Sequence, residues 1–594
     1  MRYDSKYTGF LVLVLVGVLG IMGCSDDRFS VENPNAPDRD LAIQEPSDIQ
    51  SILNGGYTSW WQGTYENTIG VYQSGPHFHA WGDALSTTNA FSGFWNVGTN
   101  EPRVEIPNTT LFGDLGIVEV PWENLNSAIS SANDVIRQIE DNEDFVIENQ
   151  QITQGTRAAA YFLRGLSYGY LANIYDQAYI VGKDFDPESD LQELEFRPFP
   201  EVLSQARSDL EQARQILDSQ PSSAEPFGNV LPWSQTPDRD RLQRIANSFE
   251  ARFIISTDRG GEAEQSYDIP WSEVQTLVAD GIQTDIVMQM DGVQWENGFH
   301  YVSGLYWYWR VDNRIISKMA AQNGAQDYPV KYPEDQAGSP ITPAKTTAEE
   351  DEGDARLCPA TGEESGGESV SIAAGSSCWF AYDGDQSFYT LPRGPRLQSN
   401  YFWLREPALQ QWFSQPFAAG PSPIFDAEEN RLMQAEAAIE ADGDVQGARS
   451  LVNNGSRVNV GELDPLPNGA SEEEVMEAIE YERDIQLYRV GLGLQYFDLR
   501  RRGELQTGTP VHMPVPATEL ETPPQAELYS FGGANNAGQP GTASGDNAWC
   551  DQGNLSCDGP FSERSQAPSS AGSFEVQSIE ELGLIPSNFV PSEE

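Results

Sequence analysis

Residues 158–180 read AAAYFLRGLSYGYLANIYDQAYI, and this stretch decides the predicted fold. Small and large residues alternate in it at helical spacing, which predicts a helix over residues 156–175. The small side chains at Ala159, Gly165 and Gly169 would let a neighbouring helix approach closely, while larger side chains fill the remaining space. The stretch therefore predicts one member of a closely packed pair of helices.

Further segments carry apolar residues at the i, i+3, i+4 and i+7 spacing of amphipathic helices. They cover residues 121–139, 200–217, 240–257, 272–280, 426–441, 445–453 and 471–488. The pair at 426–453 turns at Asp442-Gly443-Asp444 and resembles a tetratricopeptide-type unit, in which two short antiparallel helices carry small residues at fixed offsets. We predict an all-α fold, a tetratricopeptide-like helical-repeat scaffold with long loop-rich insertions and few short strands.

Residues 281–423 differ in composition from the helical segments around them. They contain aromatic residues at 299–309 and 379–403 and an acidic, Gly/Ser-rich stretch at 333–377. Irregular segments of this kind lie at protein surfaces, where a rigid scaffold usually carries its function. Because no boundary marks off a second core, we predict a single domain over residues 47–594 that contains this loop-rich insertion.

The chain has 594 residues, with 35 Lys and Arg against 90 Asp and Glu, which gives a formal net charge of −55. So acidic a surface would be repelled by phosphate backbones, and we therefore predict no nucleic-acid partner. Aromatic residues make up 11% of the chain, which excludes a wholly disordered protein. The acidity fits two surroundings equally, a salt-rich habitat or that of an ordinary acidic secreted protein.

The N-terminus carries an export signal. Basic residues precede an apolar run over residues 9–23, which is too short for a permanent membrane helix and is typical of a secretory signal peptide. The run ends at Gly23-Cys24, which resembles a bacterial lipobox. We predict a signal peptide over residues 1–23, a lipid on Cys24 and a tether over residues 24–46. The alternative is a plain signal peptide with an incidental cysteine.

Four other cysteines, Cys358, Cys378, Cys550 and Cys557, belong to a chain that would be exported to an oxidising setting. Four cysteines allow three pairings, and the sequence alone does not choose among them. The local pairing, Cys358–Cys378 with Cys550–Cys557, is favoured because both pairs lie in Gly/Ser/Asp-rich stretches. Their spacing lacks the Cys-x-x-Cys or Cys/His pattern of a metal site.

The sequence carries no signature of catalysis or of a cofactor. It lacks a phosphate-binding loop, a dinucleotide fingerprint and a His-Glu-x-x-His motif, so we predict no catalytic residues and no cofactor. His77 and His79 could seat a metal with one carboxylate, but two rings in a polar pocket is the simpler interpretation. Asp383-Gly384-Asp385 could bind calcium but lacks the full loop consensus. We therefore predict no metal site.

Motifs in the right order along most of the chain resemble the SusD/RagB family of outer-membrane lipoproteins from Bacteroidetes. Besides Cys24 and residues 158–180 they are Asn33-Pro34-Asn35, the Ala-Glu-Ala helix at 430–441, EYERDIQLYRVGLGLQYFDLR at 480–500, and His512-Met513-Pro514-Val515-Pro516. Tyr175-Asp176-Gln177-Ala178 lacks the proline that is usual in the family at this turn. This departure affects one turn and not the predicted fold.

Charged residues are concentrated in the most family-like segment, namely Arg483, Asp498, Arg500 and Arg501. We predict that they form charge-assisted hydrogen bonds that lock the terminal helices against the repeats. A catalytic role for Asp498 is not predicted, because neither a nucleophile nor a histidine accompanies it.

The resemblance implies a non-enzymatic, substrate-binding lipoprotein that is lipid-anchored in the outer membrane and faces the cell exterior. It would capture an oligosaccharide or a peptide and deliver it to a SusC-like TonB-dependent barrel. Two alternatives stay open: a helical-repeat scaffold that binds only protein, and an extracellular glycoside hydrolase.

Members of this family place ligand contacts in loops before the first repeat and in the insertion after the fourth helix. Flat rings stack on the apolar faces of sugars or on peptide side chains, while flanking polar groups bind hydroxyls or carbonyls. The candidate ligand-binding residues in those regions are His79, Trp81, Tyr306, Trp307 and Trp309.

Overall fold

Helices form most of the described structure. The computed structural model describes residues 45–65, 74–87, 103–142, 144–186, 189–222, 224, 230–298, 309–322, 354–357, 379–382, 401–403, 405, 419–522 and 526–545. Contacts divide the chain into Met1–Ser51, described only at residues 45–51, and Ile52–Glu594. Within the described ranges, no helix combines the length and the apolar character that a membrane-crossing segment needs.

The helices, numbered in chain order, are α1 (Pro46–Thr64), α2 (Ser74–Trp81), α3 (Gly116–Glu140), α4 (Gln150–Ile174), α5 (Phe199–Asp218), α6 (Arg239–Thr257), α7 (Trp271–Ala279), α8 (Asn313–Gln322), α9 (Ala427–Asp442), α10 (Val445–Asn453), α11 (Ser456–Asn459), α12 (Glu472–Ile485), α13 (Leu494–Arg502) and α14 (Ala517–Glu521). The strands are β1 (Leu85–Thr87), β2 (Gln177–Tyr179), β3 (Phe196–Pro198), β4 (Ile286–Met290), β5 (Trp309–Val311), β6 (Phe380–Tyr382), β7 (Tyr401–Trp403) and β8 (Gly420–Phe425). They pair antiparallel in twos, β1 with β5, β2 with β3, β4 with β8 and β6 with β7. The predicted helical class with few short strands is confirmed.

Helix α4 packs against α5 and α6 through the small residues singled out in the sequence. A Cβ added at Gly165 would come within 2.8 Å of Leu210 on α5, and one at Gly169 within 2.3 Å of the Phe253 ring on α6. Across the same contact with α5, the buried Arg164 guanidinium donates two hydrogen bonds to the Asp209 carboxylate (2.6 and 2.8 Å). The predicted close approach of neighbouring helices is therefore confirmed.

Gly169→Ala is expected to lower the free energy of unfolding by about 1–3 kcal/mol, because the new methyl group would overlap the ring of Phe253. Gly55 on α1 is the matched control, since a Cβ there meets no atom within 4 Å. Gly55→Ala should raise stability by about 0.5–1 kcal/mol, because alanine favours the helix. Urea unfolding followed by circular dichroism measures both variants. Equal effects of the two substitutions would contradict the close packing of α4 on α6.

The predicted starts of two helices are wrong by several residues. Helix α3 begins at Gly116, and Pro121 lies inside it instead of opening it. Helix α4 begins before its predicted start, because the Asn149 side chain caps it by accepting a hydrogen bond from the Ile152 backbone N–H (3.0 Å). In α3 the buried residues keep the predicted spacing, whereas α4 is buried on every side from Phe162 to Ile174.

The later helices contain the predicted turn and cap. Gly443 ends α9 in the left-handed conformation (φ +66°), which glycine adopts without steric cost, and α10 follows directly. Ser471 caps α12 together with Glu474, each side chain bonding the backbone N–H of the other residue. These two features confirm the helical pair at 426–453 and the start of the last strong helix.

The predicted insertion begins and ends in one β-ladder. Strands β4 and β8 pair from Ile286↔Phe425 to Met290↔Gly420, so the chain leaves the scaffold and returns to it at the same place. Within the described parts of the insertion, α8 and the β6–β7 pair bury apolar side chains in a cluster with α12, to which Tyr481 contributes. The insertion is thus joined to the helical scaffold by a ladder and by a shared apolar core.

Candidate functional site

The two segments that carry the candidate ligand-binding residues meet in the structure. Strand β1 follows α2 and pairs antiparallel with β5, with Leu85 opposite Val311 and Thr87 opposite Trp309. We call this pair the β1–β5 ladder. The chain leaves Thr87 and enters Trp309 at the same end of the ladder, so residues 88–102 and 299–308 are both attached covalently at that end. Both segments lie outside the described residues, and Tyr306 and Trp307 belong to the second.

The structure places three candidate residues in the core rather than at the surface. His79 and Trp81 are 0% exposed and Trp309 is 3% exposed. Residues 74–81 are helical, where the sequence analysis expected a loop, and the Trp81 ring packs against Phe78 and Tyr496 with ring centres 5.5 and 5.7 Å apart. The expected surface position is wrong for these three rings. Their contact with a ligand stays a prediction that their burial does not favour.

His79 is unsuited to acid–base chemistry near neutral pH. Burial, followed by the nearby positive charge of Arg489, lowers the pKa of His79 to about 3. Its Nδ1 lies 3.1 Å from the carbonyl oxygen of Gly75, one turn earlier on α2. A histidine with so low a pKa is neutral at physiological pH and is a weak general base. Within the described residues, no group of three or more His, Cys, Asp and Glu side chains is arranged to hold a metal ion.

A buried network of charged side chains supports the turn between α2 and β1. Asp83 lies in this turn with φ +48°, and its carboxylate accepts hydrogen bonds from Arg103 (2.6 Å) and Gln506 (2.9 Å). Arg314 of α8 donates to the backbone carbonyls of Gly82 and Asp83 (3.1 Å each) and to both carboxylate oxygens of Asp484 (2.7 and 2.9 Å). This network ties the β1–β5 ladder to α12, on which Asp484 lies.

Two carboxyl groups of the network have opposite pKa shifts. Burial, assisted by the nearby Asp83, raises the pKa of Asp312 well above its usual range, and the Ser86 hydroxyl donates to its carboxyl group. Burial alone would also raise the pKa of Asp484, but the cationic groups of Arg314 and Lys318 outweigh it and lower that pKa. The network holds the ladder in place, and its cations are occupied by these carboxylates and by backbone carbonyls.

The predicted lock between the terminal helices is present. Arg483 of α12 donates to both carboxylate oxygens of Asp498 on α13 (2.7 and 2.8 Å). Arg501 bonds Asp498 (3.1 Å) and forms an ion pair with Glu436 of α9 (2.5 Å). Arg500 donates to the backbone carbonyls of Asn173 on α4 and Ser256 on α6, which ties α13 to the earlier helices. All four residues therefore form the predicted charge-assisted hydrogen bonds.

Several predicted sites lie outside the described residues. They are Cys24, the cysteines Cys358, Cys378, Cys550 and Cys557, and the acidic loop at 383–385. The lipid anchor, the disulfide pairing and the calcium alternative therefore stay predictions. In contrast, sequence reasoning missed Arg103, Arg314 and Asp484, because nothing in a strongly acidic sequence marks which carboxylate a given arginine will bind.

The known proteins to which this chain is similar include a SusD-like relative and solved structures of SusD-like proteins. No family model matches it. SusD-like protein P2 of Formosa agariphila is 24% identical over 263 residues, which cover 42% of this chain and 46% of that protein. The match thus spans less than half of the relative's length.

Solved structures are similar over most of their length. A SusD superfamily protein from Bacteroides vulgatus has a TM-score of 0.53 at 16% identity, covering 81% of this chain and 98% of its own. A SusD superfamily protein from Parabacteroides distasonis has a TM-score of 0.53 at 12% identity, covering 82% of this chain and 100% of its own. A SusD-like carbohydrate binding protein from Bacteroides fragilis has a TM-score of 0.54 at 14% identity, covering 88% of this chain and 98% of its own. At these identities the likeness shows a shared fold.

Proposed function

We propose, because the chain has the fold of the SusD superfamily, that it binds oligosaccharides at the cell surface without cleaving them. The family resemblance noted in the sequence is confirmed by this fold and by the SusD-like relative. One neighbour is described as a carbohydrate binding protein. Support from this chain itself is the pairing of β1 with β5, because one aromatic-rich segment follows β1 in the sequence and the other precedes β5.

Aromatic residues lie in the sequence directly after β1 and directly before β5. Residues 88–102 include Phe91 and Trp95, and residues 299–308 include Tyr306 and Trp307. Since a residue adds at most about 3.6 Å of chain, Trp307 is attached within about 7 Å of Trp309, which begins β5. Flat aromatic rings can stack on the C–H faces of sugar rings, and a ring with few rotatable bonds loses little side-chain entropy when it does so.

The same proposal includes delivery to a transporter. A lipid on Cys24 would hold the protein in the outer membrane facing the exterior, at high effective concentration beside a SusC-like TonB-dependent barrel. Binding at millimolar to micromolar strength, about −4 to −8 kcal/mol, would allow both capture and release. The neighbour described as a carbohydrate binding protein supports binding rather than hydrolysis.

The Tyr306→Ala/Trp307→Ala double variant is expected to weaken oligosaccharide binding about 30-fold or more, because each ring lost from a binding centre costs roughly 1–2 kcal/mol. Isothermal titration of the soluble chain from Ser25 against neutral glycans and against peptides, at low and high salt, measures the effect. Trp271→Ala is the matched control, because Trp271 opens α7, outside both segments, and is partly exposed.

Each other result decides against the proposal. Unchanged oligosaccharide affinity of the double variant would show that Tyr306 and Trp307 do not form a ligand platform. Release of shorter sugars, abolished by changing one carboxylate, would identify a glycoside hydrolase. Binding of peptides but of no glycan would change the ligand class, and binding of neither would favour the protein-binding scaffold.

A further inference from the structure

A cavity of about 280 Å³ lies where the C-terminal segment meets the start of β2, at residues that the β1–β5 ladder does not include. Its polar and aromatic lining residues include Asp176, Gln177, Glu264, His512, Tyr529 and Phe531. We call it the C-terminal cavity. Glu264 is exposed at its edge, whereas His512 is 2% exposed. The cavity thus has an accessible mouth and a buried wall.

Hydrogen bonds fix the Tyr529 side of the C-terminal cavity. The Tyr529 hydroxyl donates to the Asp176 carboxylate, with 3.0 Å to each oxygen. It accepts from Gln177 Nε2 (3.0 Å) and from the Val515 backbone N–H (3.2 Å), so its hydrogen-bonding capacity is used. The Asp176 carboxylate also accepts from the backbone N–H groups of Asp176 and Gln177, and burial raises the pKa of this carboxyl group to about 7. These groups are preorganised and need not rearrange to meet a ligand.

His512 supplies a second, independent observation. Its Nδ1 is buried and has no hydrogen-bond partner within the described residues. A buried polar atom without a partner costs about 1–3 kcal/mol, so packing and not a hydrogen bond of Nδ1 holds the His512 ring against the cavity. Beside it Gly541 has φ +83°, and a Cβ there would come within 2.2 Å of Phe531 and 2.8 Å of His512 Nε2. Glycine is therefore required for the close approach of these two rings.

The charges around the C-terminal cavity favour an uncharged ligand. The lining residues include the carboxyl groups of Asp176 and Glu264 and no lysine or arginine, which disfavours an anion. Burial, followed by the guanidinium groups of Arg259 and Arg500, lowers the pKa of His512 well below its usual range, so the ring is neutral, and the positive charges of the two arginines disfavour a cation. A neutral ligand whose groups both donate and accept hydrogen bonds, such as hydroxyl groups, fits these opposing charges.

The size and the rings narrow the ligand class further. About 280 Å³ lies at the small end of ligand pockets and is enough for one six-membered ring with its substituents. Phe531 lies 4.4 Å from His512 and 5.5 Å from Tyr529 between ring centres, which gives the cavity an aromatic wall. Carboxyl and amide groups beside aromatic rings are the combination that hydroxyl groups and C–H faces of a sugar require.

We infer that the C-terminal cavity is a second binding site, which takes one neutral pyranose unit and is separate from the β1–β5 ladder. The site does not depend on the function proposed for the ladder, because no residue is shared between the two. A second sugar contact on the same chain would raise the retention of long or branched glycans through multivalency.

Titration of the soluble chain from Ser25 with methyl α-D-glucoside, methyl α-D-galactoside and methyl α-D-mannoside tests the inference by saturation-transfer NMR. At least one glycoside should saturate with a Kd of about 1–20 mM. Glu264→Ala should weaken that binding roughly tenfold, because it removes one hydrogen-bonding group from the mouth of the cavity. Tyr529→Phe should also weaken it, because the lost hydroxyl no longer holds Asp176 and Gln177 in position. Glu193→Ala, an exposed carboxylate outside the cavity, is the charge-matched control.

Two comparisons test the inference further: the cavity variants against the platform variant, and neutral sugars against charged ones. The Tyr306→Ala/Trp307→Ala variant should bind these glycosides normally, even if it loses oligosaccharides, which separates a failure of this site from a failure of the platform. Glucosamine and glucuronate should bind more weakly than glucose. No saturation by any glycoside, unchanged binding in both cavity variants, loss in the platform variant, or tighter binding of a charged probe would each overturn the inference.

Discussion

Replacing Arg356 with alanine is expected to lower the free energy of unfolding by about 3–5 kcal/mol, the largest effect of any single change considered. Arg356 is fully buried and donates to both carboxylate oxygens of Glu482 (2.8 and 2.9 Å) and of Asp354 (2.6 and 2.9 Å). Alanine would leave two buried carboxylates without their cation. Urea unfolding at pH 7, followed by circular dichroism and tryptophan fluorescence, measures the loss.

Two further variants make this result specific to the buried pair. Arg356→Lys keeps the charge but loses the planar fork that reaches two carboxylates, so its cost should be intermediate. Arg197→Ala removes an ion pair with Glu195 (3.3 Å) whose side chains are 49% and 71% exposed, and should cost less than about 1 kcal/mol. A cost for Arg356→Ala no larger than that for Arg197→Ala would show that the ion pairs do not hold the insertion.

Asp498→Asn is expected to destabilise the protein by about 3 kcal/mol at pH 7, and this difference should shrink as the pH falls below about 4. Burial by itself raises the pKa of Asp498, but Arg483 and Arg501 outweigh it, so the folded pKa is lowered. A carboxylate with a lowered folded pKa stabilises fully above its unfolded pKa of about 3.9, and this contribution is lost as the pH falls toward the folded value.

Thermal unfolding of both proteins between pH 3 and pH 8 gives the comparison. Asp464→Asn is the matched control, because Asp464 is exposed, and it should differ from the unchanged protein by less than about 0.5 kcal/mol throughout. If the gap between Asp498→Asn and the unchanged protein stayed constant down to pH 3, the lock between α12 and α13 would not depend on the Asp498 charge.

Long helices were predictable because their spacing is a local property. The small residues at Gly165 and Gly169 identified the packing face of α4 before any neighbour was known. Helix α2 was missed because it is one short segment, Ser74–Trp81, that is buried on all sides and shows no 3.6-residue period of apolar residues. Because this helix is buried, His79 and Trp81 lie in the core and not at the expected surface.

The site was less predictable, since it depends on contacts between distant parts of the chain. Strands β1 and β5 have three residues each, and the pairing of Leu85 with Val311 is set by the packing around them and not by their composition. The C-terminal cavity joins Asp176, His512 and Tyr529 from two distant segments. With 90 acidic residues in the chain, no spacing rule selects the few carboxylates that matter.

The pairing of β4 with β8 has an evolutionary consequence. Because Met290 and Gly420 are neighbours across the ladder, the residues between them form a cassette with a common entry and exit. The entropy of closing a loop grows only slowly with its length, by about 0.6 kcal/mol for each doubling. During evolution the connections inside this cassette can therefore lengthen or shrink at little cost, provided that the contacts of α8, β6, β7 and Arg356 with α12 are kept.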